Sequence, residues 1–260
     1  MTDFLETVVA ERRADMRSAR RHDHPPARSG AARPSFADAI RAKRAVGRIA
    51  IIAEVKRRSP ALGALAADAD PAAVARVYAQ AGAAAISVLT EPRHWGGSVA
   101  DLAAVANAVA LPVLYKDIVV DERQLREAEA AGASAVLLIA EALDDATLAR
   151  FVERAAALGL DALVEAHEHR AFVRAVASGA TVVGVNARSL RVPTDLDRER
   201  IDALHGLVRP DQLLVAESGI GSADDVAALP ARVDAVLVGT ALMTAADPGA
   251  LVRSLAAVRR

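Results

Sequence analysis

The chain has no cysteine. This removes disulfides, a thiolate nucleophile and any cysteine-held zinc site together. Long apolar runs are also missing. Although 53% of the 260 residues are hydrophobic, charges or turn residues interrupt every run well short of the roughly 20 residues a membrane span requires. Nor is there an excess of charge of one sign. A formal net charge of −1 gives no general attraction to nucleic acid or to an anionic membrane. Arg12, Arg13, Arg17, Arg20 and Arg21 cluster near the start and read as a solvated helix face. Asp3 and Glu6 stand where a secretory signal would be apolar, and no small-residue cleavage site follows. A soluble, cytoplasmic protein with neither nucleic acid nor membrane as partner is expected.

What is present is a recurring unit: an alanine-rich amphipathic stretch, a glycine between small residues, then a short apolar run. Ala81-Gly82-Ala83 precedes Ala85 to Leu89, Ala131-Gly132-Ala133 precedes Ala135 to Ile139, and Ser178-Gly179-Ala180 precedes Thr181 to Val185. Each glycine suits a helix C-terminus. Ile49 to Val55, Pro112 to Tyr115, Asp161 to Val164, Gln212 to Ala216 and Ala235 to Val238 bring the strand candidates to eight. Their continuous apolar character implies burial on both faces, and roughly 30 residues per unit matches a (β/α)8 TIM barrel. An open doubly wound sheet is the alternative, since periodicity does not show closure. One domain is expected over residues 1–260, with a helical extension over 1–46 and the barrel over 47–260. The extension carries two helical pieces, Phe4 to Arg20 and Phe36 to Arg44, separated by Pro25, Pro26, Ser29, Gly30 and Pro34; Ser35 suits an N-cap for the second. Only the second piece has a clear apolar face. The extension reads as a cover for one barrel end or an unordered arm, and no catalytic residue is placed in it.

In a parallel barrel the active site lies at the C-terminal strand ends. Here those ends carry Glu54 and Lys56, Lys116 and Asp117, Glu165, Asn186 and Arg188, Glu217 and Ser218, and Gly239 and Thr240. A single charge at a strand end simply marks the return to solvent; six such ends coinciding point to a site. Glu54 and Lys56, two residues apart in a strand, face the same way. The stretches Glu217 to Ser222 and Val238 to Leu242 follow strands seven and eight, where barrels bind phosphate through backbone N–H groups. A sugar-phosphate-like small molecule is the expected ligand. The loop from Arg57 to Asp70 exceeds the usual two to six residues. It reads as a lid hinged at Pro60 and Gly63, with Ser59 and the arginines reaching the ligand, or as a merely extended surface loop.

Ile52-Ala53-Glu54-Val55-Lys56-Arg57-Arg58-Ser59-Pro60 resembles the first-strand signature of indole-3-glycerol-phosphate synthases. The likeness continues in order through Ser87 to Pro92, Gly96-Gly97-Ser98, Leu111 to Asp117, Leu163-Val164-Glu165, Gly184 to Arg188, Ala216 to Ile220 and Val238 to Met243, covering about Ser35 to the end. It implies ring closure, decarboxylation and dehydration of 1-(2-carboxyphenylamino)-1-deoxyribulose 5-phosphate, without metal or organic cofactor. Under this resemblance Lys116 is the general acid, made acidic enough by a neighbouring positive charge. Lys56 holds the substrate carboxylate and assists hydroxyl departure, with Arg188 in support. Glu54 and Glu165 are the bases, Asn186 orients Glu54 or a substrate hydroxyl, and Glu217 balances the lysines. Ser218, Gly219, Gly239 and Thr240 hold the phosphate, with Ser59 a lid contact. Ile118 departs from the family's usual Phe, removing an aromatic that would pack on the anthranilate ring; Ala61 replaces a common Ser and Trp95 a common Phe. Glu141, where the family is usually uncharged, is expected to face solvent, and His167 and His169 to be surface residues rather than metal ligands. A monomer is expected, with weak association to other enzymes of tryptophan synthesis left open. The alternatives are another phosphate-binding barrel enzyme and a non-catalytic barrel that only binds phosphometabolites.

Overall fold

In the computed structural model, which describes residues 3–18 and 33–260, the strands close on themselves. They are β1 (Ala50–Val55), β2 (Ala85–Leu89), β3 (Val113–Lys116), β4 (Ala135–Ile139), β5 (Asp161–Ala166), β6 (Val182–Asn186), β7 (Leu213–Glu217) and β8 (Ala235–Val238). All pairings are parallel, and β1 pairs with both β2 and β8. The sheet therefore has no edge, which excludes the doubly wound alternative. Two helices precede the barrel, α1 (Phe4–Ser18) and α2 (Phe36–Ala45). The others are α3 (Pro71–Gln80), α4 (Val99–Ala108), α5 (Glu122–Ala130), α6 (Asp145–Ala157), α7 (His169–Ala177), α8 (Glu199–Leu204), α9 (Ala223–Ala228), α10 (Thr240–Thr244) and α11 (Pro248–Ala256).

Every strand is buried on both faces, which is why the apolar runs do not alternate with polar residues. Outward residues such as Ile51, Ala53 and Val55 join Tyr78, Leu102, Phe151 and Phe172 of the surrounding helices in one core. Inward residues such as Ala50, Ile52, Leu114, Leu137 and Leu213 form a second. Lys116, Asn186 and Glu217 are themselves the last residues of their strands, one position beyond the runs read from sequence. A polar side chain pointing inward leaves the backbone ladder intact, so Asn186 still registers opposite Glu217 and Glu165 opposite Gly184.

The extension closes both ends of this barrel. Ser35 caps α2 as expected, accepting from the Asp38 N–H at 3.1 Å. Its hydroxyl also donates to Asp161, the first residue of β5, at 3.1 Å. This fixes α2 at the amino-terminal end, where Phe36, Ala37 and Ile40 join the inward core. Helix α1 crosses the opposite end. Here the structure corrects the sequence reading: Leu5, Val8 and Val9 are buried, and Arg12, one turn further along the same face, completes the stripe. Arg12 is no solvated residue. Its guanidinium donates to both carboxylate oxygens of Asp117 at 2.8 and 2.9 Å, while Arg13 and Arg17 are exposed. Arg20, Arg21, Pro25, Pro26, Ser29 and Gly30 lie outside the described residues.

Candidate active site

A cavity of about 380 Å³ opens at the carboxyl ends of the strands. Glu54, Lys56, Lys116, Glu165, Asn186, Glu217, Ser59, Arg188, Ser218, Gly219, Gly239 and Thr240 all line it. Residues spread over nearly 190 positions meet because each sits on the inward side of a strand end or in the loop that follows.

Lys116 is the centre of the charged group. Its ammonium donates to Glu165 at 3.0 Å and to Glu217 at 3.2 Å. Burial alone would depress its pKa, but Glu165, Glu217 and Glu54 outweigh that and raise it. The expectation of a neighbouring positive charge making Lys116 acidic is therefore overturned: its direct partners are carboxylates. The two acids split. Burial opposes ionisation of Glu165, yet Lys116 and the hydrogen bonds from Glu217 and Asn186 bring its pKa down. Glu217 goes well up, through burial first and then the charge of Glu165. The two carboxyls around one ammonium are thus driven in opposite directions, Glu165 toward the ionised form and Glu217 toward the protonated one, and the group titrates as a unit.

Lys56 and Glu54 make a separate pair, Nζ to Oε1 at 2.8 Å, on the same face of the end of β1. Asn186 does not orient Glu54, as the sequence reading allowed. Its amide donates to Glu165 at 3.3 Å, and its oxygen accepts from the Ser218 hydroxyl at 2.8 Å. Asn186 therefore ties the Lys116–carboxylate group to the loop after β7.

That loop begins with two consecutive left-handed residues, Ser218 at φ 70 and Gly219 at φ 75. Such turns aim successive backbone N–H groups inward, a geometry suited to anions. Arg198, absent from the sequence reading, stands beside it: a Cβ on Gly219 would lie 3.0 Å from Arg198 Nε. The Arg198 guanidinium donates to Asp225 at 2.6 Å, and the same carboxylate accepts from the Gly221 N–H at 2.9 Å. Arg188 donates to the Pro193 carbonyl at 2.7 Å, and burial lowers its pKa.

Apolar residues also line the cavity, among them Phe4, Trp95, Ile118, Leu137 and Leu190. Phe4 brings the extension to the cavity as a lining residue. Its ring meets the His94 and Trp95 rings edge-on at 5.1 and 5.9 Å. Trp95 is presented by Glu91, a buried carboxylate that accepts from the backbone N–H groups of Arg93, His94 and Trp95 at 3.0, 2.7 and 3.1 Å. In the long loop after β1, Arg58↔Ala64 and Ser59↔Gly63 pair as a small hairpin. Ser59, Pro60 and Ala61 face the cavity, but the arginines do not: Arg58 is exposed, and Arg57 grips Asp101 at 2.7 and 3.0 Å.

Two further expectations are corrected. Glu141 does not face solvent; it accepts from the N–H groups of His167 and Glu168 at 2.6 and 2.9 Å, and burial raises its pKa. His167 is buried, its Nδ1 2.9 Å from the Asn186 carbonyl oxygen, whereas His169 is exposed as expected. Among the described residues no group of three metal-ligating side chains is assembled, and no helix is long and apolar enough to cross a membrane.

A closed parallel barrel whose mouth joins apolar side chains, two lysine–carboxylate groups and an anion-suited loop defines a TIM-barrel enzyme that works on a small anionic metabolite. The family model described as Indole-3-glycerol phosphate synthase matches residues 5–255, and the chain belongs to that family. It is 48% identical to the indole-3-glycerol phosphate synthase of Nocardioides sp. over 98% of this chain and 94% of that one. It is 46% identical to that of Micrococcus luteus, over 97% of each chain. Among solved structures, a tryptophan synthase from Mycobacterium tuberculosis superposes with a TM-score of 0.67 at 18% identity, over 86% of this chain and 98% of that one, a likeness of fold.

Proposed function

We propose that the chain catalyses ring closure of 1-(2-carboxyphenylamino)-1-deoxyribulose 5-phosphate to indole-3-glycerol phosphate, releasing carbon dioxide and water. The observation that carries the residue roles is the Lys116 ammonium shared by Glu165 and Glu217 in a cavity that also presents apolar side chains and an anion-suited loop. The anthranilate ring lies against Phe4, Trp95, Ile118 and Leu190. The phosphate lies on Ser218, Gly219, Gly239 and Thr240, where Arg198 offsets the Asp225 carboxylate that lines the same cavity. The hairpin bearing Ser59 covers the substrate.

The aromatic carbon bearing the carboxylate attacks the keto carbon, and Lys116 gives the keto oxygen its proton. The carbon–carboxylate bond then breaks, restoring the aromatic ring; until then Lys56 and Arg188 hold the carboxylate. The former keto carbon loses its hydroxyl as water, with a proton from Lys56, and the adjoining methylene carbon yields a proton to Glu54 or Glu165. Lys116 is held protonated by its acidic neighbours, so it enters the reaction charged. Proton uptake by Glu165, and the raised pKa of Glu217, reduce the negative charge around it and ease its release. These groups supply each proton in the sequence, and no metal or organic cofactor is assigned. The extension and barrel act as one unit, in the cytoplasm, as a monomer.

Incubation with this substrate should give rising indole fluorescence. Lys116→Ala should lower kcat by about 10³-fold, the range of a lost general acid together with its electrostatic contribution. No product from the parent protein would overturn the function, and full activity in Lys116→Ala would overturn the role of the lysine.

A further inference from the structure

Glu217 meets Lys116 through Oε2. Its other oxygen, Oε1, is fully buried and has no hydrogen-bond partner. Leaving such an atom unpaired is costly, so its placement calls for a reason. Oε1 lies over the α carbon of Gly184, on the adjacent strand β6. A Cβ at this position would stand closer than 3.0 Å to Oε1, 3.3 Å from Leu163 Cδ1 and 3.4 Å from Glu165 Cβ. The inward neighbours of Gly184 along the strand, Val182 and Asn186, both carry side chains. Glycine weakens a strand interior and leaves a gap in its packing. Here the gap is filled by a carboxylate.

The consequences of filling it differently are unequal. Leu163 and the Glu165 Cβ need to give by only a few tenths of an ångström, whereas Glu217 Oε1 cannot remain. The end of a glutamate side chain turns more readily than a barrel strand moves, so the fold survives and the carboxylate leaves its seat. Gly239 works in the same way beside the other pair: a Cβ there would lie 3.0 Å from Lys56 Nζ and closer still to Glu54 Oε1.

We propose that Gly184 is a positioning residue, whose missing side chain seats the Glu217 carboxyl so that Glu217 and Glu165 share the Lys116 ammonium. The inference rests on the reading of these three residues as the acid–base centre. Lys116 from β3 and Glu165 from β5 act on Glu217 directly, and Glu54 and Lys56 at the end of β1, with Arg188 following β6, line the same cavity. In the seat, burial and then the charge of Glu165 raise the pKa of Glu217; moved from it, the carboxyl should titrate at lower pH.

The test is a cycle of Gly184→Ala with Glu217→Ala and with Glu217→Asp, following kcat, KM, the pH profile and thermal midpoint. Gly184→Ala should fold, keep KM within about threefold and lose about 30-fold or more in kcat, the scale of a displaced catalytic group. The limb of its kcat–pH profile that belongs to the pair should move to lower pH. Added to Glu217→Ala, the same change should cost less than about threefold, because no carboxyl is left to displace and two substitutions acting through one group do not add. In Glu217→Asp, whose carboxyl is one methylene shorter, Gly184→Ala should cost neither stability nor rate. An unchanged kcat in Gly184→Ala, or equal fold-losses in the parent and Glu217→Ala, overturns the proposal. If Gly184→Ala fails to fold, its failure in the Glu217→Asp background as well assigns Gly184 to packing alone. Full activity in Glu217→Ala instead defeats the reading of the acid–base centre, and is seen without any change at position 184.

Discussion

The two ends of the barrel are made by the same eight strands and closed by neighbouring helices of one extension, yet they are built on opposite terms. At the amino end the inward positions are Ala50, Ile52, Ala85, Leu114 and Leu213, and α2 adds Phe36 and Ile40. Each of these side chains leaves water without leaving a polar atom behind. At the carboxyl end the inward positions further along the strands hold Glu54, Lys116 and Glu165, largely withdrawn from water and paired with polar groups of the same mouth: Glu54 with Lys56, Lys116 with Glu165 and Glu217, and Glu165 with Asn186. Even so, Ser87 Oγ and Glu217 Oε1 are buried there without partners. The amino end accumulates stability and the carboxyl end spends part of it to hold charges in place, as expected when a fold breaks its own rules at a working site.

The sharpest way to break this contrast is one substitution at each end. Phe36→Ala should cost about 3–5 kcal/mol, the usual loss for a fully buried aromatic. In a domain of this size that lowers the melting point by roughly 10 °C. The folded fraction should keep its KM and kcat. Lys116→Met should do the reverse, losing the reaction while changing the melting point little, because neutralising the lysine lets Glu165 take up a proton and removes one buried charge pair. Thermal melts and indole fluorescence on both proteins decide the matter. If Lys116→Met is the less stable of the two, the mouth is a source of stability and the comparison fails.

Arg12 tests whether α1 belongs with the stable end or the working end. Asp117 also accepts from Thr90 at 2.8 Å, Tyr115 at 3.1 Å and the Ile118 N–H at 2.7 Å, so it keeps donors when Arg12 is removed. Arg12→Met should therefore cost about 2–3 kcal/mol in urea unfolding, below the ~3–5 typical of breaking a buried pair. Arg12→Met combined with Asp117→Asn should recover most of it. No recovery would mean that Arg12 acts through its packing alone.

The same residue shows what sequence does and does not disclose. The eight strands, their burial on both faces and the polar ends were legible because each is local: an apolar run, a glycine, a charge. Closure was not, since it lies in the pairing of Ala50 with Ala235, which no local pattern records. Arg12 read as solvated because its partner is 105 residues away. Glu141 misled for the same reason, its backbone partners at His167 and Glu168 lying on another unit. Leu5, Val8, Val9 and Arg12 do repeat at helical spacing, so the docking face of α1 was visible in principle to a reading that admitted an arginine into an apolar stripe. Nothing comparable marked Arg198, one of several arginines in a polar segment.

Arg198 gives the smallest effect and refines the comparison within the working end. Asp225 lines the cavity and organises the Gly221 turn, so an arriving phosphate meets a carboxylate unless Arg198 stays between them. Arg198 is more than half exposed, which limits its contribution to that of a screened surface charge. Arg198→Gln should raise KM by about threefold with kcat nearly unchanged, equivalent to about 0.6 kcal/mol of uniform binding. The parent's KM should also climb more steeply with salt than the variant's, since only the parent has that charge to screen. A fall in kcat at constant KM would instead place Arg198 with the lysines, at the chemical step, and would extend the charged end of the barrel outward to α8.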